Sequence, residues 1–226
     1  MILRGLFDDD VEVDEIDPGQ VSPARLSCAE LAIVGKAVGK RQREFAAGRV
    51  AAKAALARLG APALPLLAGA NRDPLWPLGF VGSISHCASL ACAAVSKSDR
   101  YRSLGCDVEG DEPLSVGVAQ RVCSERERDR MGADWLRAAK IVFSAKEAFY
   151  KLQFPLTLTF LGFFDADVTL DERNGGLEVA LLRDAGTLLA GARFAGRFVV
   201  VDGYVATALS LRGGEDGGNP SRPGTC

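Results

Sequence analysis

Two long helix-forming stretches, each followed by short apolar runs, limit the architectures open to this chain more than any other feature. Residues 40–59, KRQREFAAGRVAAKAALARL, are rich in Ala, Leu, Arg and Lys and are followed by Gly60 and Pro62, which predicts a helix with a defined stop. Pro- and Gly-punctuated sequence leads to Gly79, and the runs FVGSISH, LACAAVS and SLGCDVE then read as neighbouring strands. Ser124 and Glu127 have the spacing of a capping box, and residues 134–152 carry Trp135, Ala139, Val142, Phe143 and Phe149 in a second helical pattern. Beyond Pro155, FFDADVTL and LEVALL flank the turn Asn174-Gly175-Gly176, and ARFAGRFVVV and GYVATALSL give two more strands. Helix then strands, twice over, predicts an α/β (α+β) fold of two similar subdomains, each a small sheet packed with a long helix, meeting at a cleft. The boundary is expected just after Glu109, giving subdomains 1–109 and 110–212 and a disordered tail from Gly213 onward.

Composition narrows the chemistry. The chain has 226 residues, 48% of them apolar, enough to bury a real core. A formal net charge of −2 offers no global attraction to nucleic acid or an anionic membrane, so any phosphate binding has to be local. Six cysteines without a C-x-x-C pair, and His86 as the single histidine, argue against a zinc site or a thioredoxin-like motif; free, mostly buried thiols fit a reducing cytoplasm. The start MILRGLFDDDVEVDE lacks the basic and apolar regions of a signal peptide, and no apolar run approaches the ~20 residues of a membrane span. Walker, dinucleotide and G-x-S-x-G signatures are missing too.

What remains are small constellations of charge. Asp107 and Glu109 stand two apart in a predicted strand, so both carboxylates leave one face, an arrangement of oxygen ligands that suits magnesium and that a solvated strand also shows. Ser144, Glu147 and Lys151 share a face of the second helix with Lys146 on its flank; an exposed Glu–Lys stripe has the same spacing. Arg41 and Arg49, about two turns apart, can reach a common anion, or belong to a solvated basic face. His86, at the end of a predicted strand, is placed either for a phosphate contact or proton shuttle or for a structural role. These residues alone give a possible metal–phosphate site without a named reaction.

The strings WPLGFVGSISHCASLACAAV, LGCDVE and FSAKEAFYKLQFPLTLTFLGF, in that order, resemble the phosphopantetheinyl transferases of the enterobactin- and surfactin-synthetase type. The F-x-x-K-E-A-x-x-K element at residues 143–151 is the most specific piece, and R-x-x-E-F-x-x-G-R at residues 41–49 belongs to the same pattern. The resemblance implies a pair of pseudo-symmetric α/β subdomains with coenzyme A in the cleft between them, and transfer of its 4′-phosphopantetheine arm to a serine of an apo carrier protein of a polyketide, nonribosomal peptide or fatty acid synthase. It implies Asp107, Glu109 and Glu147 as magnesium ligands, and Glu147, Lys151 and Asp107 as catalytic residues, with Glu147 as base. It further implies Lys146 and Lys151 at the pyrophosphate, Arg41, Arg49 and His86 at the 3′-phosphate, and Arg72 as a further basic contact before the W-P. By length the chain matches the monomeric members. Two rivals are a non-catalytic coenzyme A-binding module, which is expected to lack a carboxylate or a lysine of the set, and a metal-dependent phosphohydrolase, which is expected to release phosphopantetheine without a carrier.

Overall fold

The structure is a computed structural model in which residues 1–214 are described. The tail expected from Gly213 therefore lies, from residue 215 on and including Cys226, outside the described residues.

Strand β1 (Glu12–Ile16) precedes helices α1 (Cys28–Val34) and α2 (Gly39–Arg58), followed by β2 (Phe80–His86), β3 (Ala91–Lys97) and β4 (Tyr101–Gly110). Helices α3 (Val116–Val122), α4 (Glu125–Met131) and α5 (Trp135–Thr157) then lead into β5 (Ala166–Asp171), β6 (Gly176–Leu181), β7 (Arg193–Val201) and β8 (Tyr204–Arg212). The strands form two antiparallel sheets, of order β1-β3-β2 and β4-β8-β7-β6-β5.

Both long helices lie close to their expected places. Capping boxes at Ser27/Glu30 and Ser124/Glu127 start α1 and α4, each serine hydroxyl accepting an N–H that the helix leaves unpaired and each glutamate returning the favour. Helix α5 runs through Pro155 to Thr157 and stops at Leu158, whose N–H still donates to the Phe154 carbonyl and whose left-handed backbone (φ 52°) turns the following chain out of the helix. One strand is added and two expectations are revised. β1 had no reading of its own in the sequence. The run FFDADVTL opens with a short 3-10 turn, and its strand begins at Ala166. β4 is not a hydrogen-bonded neighbour of β3; its backbone pairs with β8 as the edge of the larger sheet.

Alternation explains why β4 can do this. Leu104, Cys106 and Val108 point to one side, where they pack with Cys92, Ala94, Ala206 and Ala208 and glue the sheets together. Ser103, Gly105, Asp107 and Glu109 point to the other side, toward α5. Helix α2 covers the outer face of the small sheet, its Ala46, Ala47, Ala51, Ala52 and Ala55 against Ala91, Ala93 and Val95. The layers are thus helix, sheet, sheet, helix.

Each helix is held close to a strand at one glycine. A Cβ on Gly48 of α2 would stand 2.7 Å from Ile84 Cγ2, and one on Gly105 of β4 would stand 2.0 Å from the Ala148 carbonyl oxygen of α5. At Gly105 the obstacle is backbone and no side chain fits, whereas at Gly48 the Ile84 side chain would have to give way.

Candidate active site

The site is set by a matched register between β4 and α5. Two strand residues advance about 6.6 Å and four helix residues about 6 Å, so alternate residues of β4 meet every fourth residue of α5. Ser103 Oγ donates to the Leu152 carbonyl at 2.6 Å, Gly105 abuts Ala148, the Ser144 hydroxyl donates to Asp107 at 2.9 Å, and Lys140 Nζ lies 3.8 Å from Glu109. One rotation of α5 therefore brings the Lys140, Ser144, Glu147 and Lys151 stripe over Asp107 and Glu109.

Asp107 is buried at 3% exposure yet fully engaged. It accepts from Ser85 Oγ at 2.8 Å, Ser144 Oγ at 2.9 Å and Lys151 Nζ at 2.7 Å. Ser85 closes the network by accepting from Lys151 and from the Val108 N–H, while Ser83 Oγ accepts from the Cys106 N–H. Two buried serines of β2 thus satisfy backbone donors on β4 and join the edges of the two sheets. Burial pushes the Glu109 carboxyl up to about 7, helped by the charge of Asp107, while Lys140 pulls the other way. Glu147 is also raised, first by burial and then by Asp107, with Lys151 opposing. Burial works against the Lys151 charge, but Asp107 outweighs it and raises its pKa.

A cleft of about 540 Å³ opens over this network, lined among others by Arg41, Arg72, Trp76, Glu147, Tyr150 and Lys151. Arg41 contacts His86 Nε2, and Glu44 lies 3.7 Å from Arg41 and 3.9 Å from His86 Nδ1. Burial, with the Arg41 charge, holds His86 below its usual pKa, so the imidazole is neutral at pH 7 and its Nε2 accepts from Arg41. Arg72 sits on a tight turn at φ 67° and is exposed at the cleft rim.

Arg49 does not line the cleft. Its side chain is buried at 5% exposure with the guanidinium 4.3 Å above the Phe45 ring, and its Nε has no hydrogen-bond partner among the described residues. Burial lowers its pKa to about 10, against the pull of Glu30 and with the push of Arg41. A buried cation with an unmet donor calls for an anion.

Lys146 departs from its expected place at the pyrophosphate. Its ammonium is buried and donates to Glu127 at 2.8 Å, the Val122 carbonyl at 2.9 Å and the Phe163 carbonyl at 2.8 Å, which uses all three donors. One residue of helix rotation, about 100°, separates it from the cleft-facing Glu147. Lys146 and the capping glutamate of α4 together tie α4, α5 and the Phe163 turn, and Glu127 also accepts the Val168 N–H of β5.

The sequence reading missed Lys140, Ser85, Tyr150 and Thr207, the β8 residue opposite Asp107 whose hydroxyl lies 3.0 Å from that of Ser144. Lys140 had a signal, since it precedes Ser144 by one turn on the same stripe. Ser85 and Thr207 had none, because β2 and β8 reach Asp107 only through tertiary pairing. Tyr150 belongs both to the cleft and to a neighbouring apolar groove of about 410 Å³, walled by Phe149, Phe160, Leu161 and Phe163 beside Glu147. Among the described residues no three of His, Cys, Asp and Glu are gathered closely enough to hold a metal ion by themselves.

Residues 29–96 match the 4′-phosphopantetheinyl transferase N-terminal domain, and residues 103–207 match the 4′-phosphopantetheinyl transferase superfamily. The 4′-phosphopantetheinyl transferase Npt of Nocardia iowensis is 37% identical over 201 residues, covering 80% of this chain and 87% of the relative. Svp of Streptomyces mobaraensis is 40% identical over 193 residues (80% and 77%), and PptT of Mycobacterium tuberculosis is 38% identical over 191 residues (80% and 84%). With its helix–sheet–sheet–helix layers, its acidic cluster under a basic cleft and these relatives, the chain belongs to the 4′-phosphopantetheinyl transferase family, enzymes that transfer phosphopantetheine from coenzyme A to carrier proteins.

Proposed function

We propose that the enzyme works with magnesium, held by Asp107, Glu109 and Glu147, and that the cleft divides into an anion side at Arg41, Arg72 and His86, with Arg49 buried behind it, and a metal side at α5 and β4. The observation that carries the metal reading is geometric: Asp107 and Glu109 leave one face of β4 beneath α5, which carries Glu147, so three carboxylates crowd together. Burial first, and then the charge of Asp107, pushes Glu109 to about 7 and raises Glu147. A hard divalent cation relieves that crowding, and all the donors are carboxylate oxygens. The lack of a preformed three-ligand cage is compatible with this, because magnesium takes few protein ligands and completes its shell with substrate phosphates and water. When bound, the ion would neutralise the pyrophosphate and the departing 3′,5′-ADP.

The chain's own residues supply the rest. Arg49, with its unmet Nε, and Arg41, with neutral His86 beside it, receive the 3′-phosphate. The apolar groove beside Glu147 shelters the pantetheine arm from water. Glu147, whose raised pKa improves it as a base, takes the proton of the carrier serine, and Lys151 turns from Asp107 to the phosphate as negative charge develops on the leaving group. Lys146 borders this groove but spends all three donors inside the protein and offers none to the pyrophosphate.

We further infer a monomer acting on synthase carrier domains in the cytoplasm; the free, buried thiols of Cys92, Cys106 and Cys123 support the compartment alone. Among the described residues no helix is long and apolar enough to cross a membrane.

The test is release of 3′,5′-ADP in the presence of coenzyme A and an apo carrier. Chelator-treated enzyme is expected to be silent and to recover on addition of magnesium. Full turnover with metal removed contradicts the metal reading.

A further inference from the structure

The β4–α5 register places an unassigned cation on the metal side. Lys140 stands one helical turn before Ser144 and faces Glu109, as Ser144 faces Asp107. Its side chain is only 12% exposed, which separates it from an ordinary surface lysine, and its Nζ lies 3.8 Å from the Glu109 carboxylate. Lys151 occupies Asp107 in the same way, at 2.7 Å, with its other donors given to Ser85 and the Cys106 carbonyl. Each carboxylate of the D-x-E pair thus already carries an ammonium.

A cation entering this cluster has to compete with two resident lysines. The pyrophosphate of the co-substrate changes the balance, because it offers both ammoniums a new partner and leaves the carboxylates exposed. We infer that Lys140 is a positioning residue that keeps Glu109 paired in the metal-free enzyme and so makes divalent metal and coenzyme A bind with positive coupling. This rests on the metal reading proposed above. Coupling of this kind is reciprocal, so metal tightens coenzyme A by the factor with which coenzyme A tightens metal.

The experiment is direct titration of Mn2+, followed by its electron paramagnetic resonance signal, without a carrier protein and with or without coenzyme A. Wild type is expected to bind Mn2+ weakly alone and at least about fivefold more tightly with coenzyme A. Lys140→Met is expected to bind Mn2+ about tenfold more tightly than wild type when coenzyme A is absent, since a nearby repelling charge is gone, and to show a smaller gain when it is added. Lys140→Arg, which keeps the charge, is expected to follow wild type. Should Lys140→Met unfold, as judged by thermal melting, Lys140→Gln takes its place with the same expectation. Glu109→Gln serves as the separate control and is expected to lose Mn2+ binding in both conditions. If it does and Lys140→Met binds Mn2+ no more tightly than wild type, the role of Lys140 is overturned while the metal reading stands. If Glu109→Gln binds Mn2+ like wild type, the metal reading itself fails, and this inference with it.

Discussion

Helices α2 and α5 are built into the same setting and carry opposite chemistry. Each lies on one face of an antiparallel sheet, and each crosses a strand at a glycine, Gly48 in the first case and Gly105 in the second. The α2 side buries Arg49, whose Nε has no hydrogen-bond partner among the described residues, which suits it to meet an anion. The α5 side gathers Asp107, Glu109 and Glu147 around two lysines, so it is a cluster of anions already partly neutralised. One scaffold thus presents a basic end and an acidic end, which the proposed function gives to the two ends of coenzyme A, and the small residues at each crossing bring helix and strand close together.

The sharpest break in this comparison comes from the acidic side. Glu147→Gln keeps size and helix propensity but removes the base, and turnover is expected to fall about 10²- to 10⁴-fold with coenzyme A affinity changed far less. Steady-state kinetics with an apo carrier read this out, and wild-type rates would reduce the α5 stripe to a surface ion pair. Next comes the basic side. Arg49→Met is expected to weaken coenzyme A binding about ten- to a hundredfold while 3′-dephospho-coenzyme A is little affected, measured by calorimetric titration. Because the buried guanidinium has an unmet donor, the ligand-free variant is expected to melt no lower than wild type; a marked loss of stability would mean that Arg49 serves the fold.

Lys146 separates the two kinds of buried lysine. Lys146→Met leaves the Glu127 carboxylate buried without its cation and is expected to cost about 3–5 kcal/mol of stability in denaturant unfolding. In the folded fraction, coenzyme A affinity is expected to be unchanged, whereas a pyrophosphate ligand would lose affinity. Gly105→Ala places a methyl where the Ala148 carbonyl stands and is expected to cost about 1–3 kcal/mol as α5 is pushed from β4. At the small end, removal of the exposed Arg193–Glu178 pair in the β6–β7 region is expected to change stability by under about 1 kcal/mol and kinetics not at all.

Much of this arrangement was readable from the chain. Ala-rich residues 40–59 with their Gly60 and Pro62 stop, the Ser124/Glu127 capping box and the Asn174-Gly175 turn are local signals, and α2, α4 and the β5–β6 hairpin follow them. The i, i+3, i+7 stripe of α5 is local too, so Ser144, Glu147 and Lys151 were found together. What was lost is non-local. The choice of β8 as the partner of β4 depends on a strand about a hundred residues away, and the serines of β2 that pin Asp107 gain their meaning only when two sheet edges meet. Lys146 illustrates the limit most clearly: beside Glu147 in sequence it reads as a site residue, but one step of helix rotation aims it at the Val122 and Phe163 carbonyls. Adjacency along a helix separates faces rather than joining them.

The central claim is that the basic α2 side and the acidic α5 side act on one molecule of coenzyme A. The most direct test is intact-mass measurement of an apo carrier protein incubated with coenzyme A, magnesium and the enzyme, using wild type, Arg49→Met and Glu147→Gln. Wild type is expected to add one phosphopantetheine to the carrier. Arg49→Met is expected to do so only when coenzyme A is raised, and Glu147→Gln to do so very slowly at any coenzyme A concentration. Modification by Glu147→Gln at the wild-type rate, or a defect in Arg49→Met that coenzyme A cannot relieve, would contradict the account.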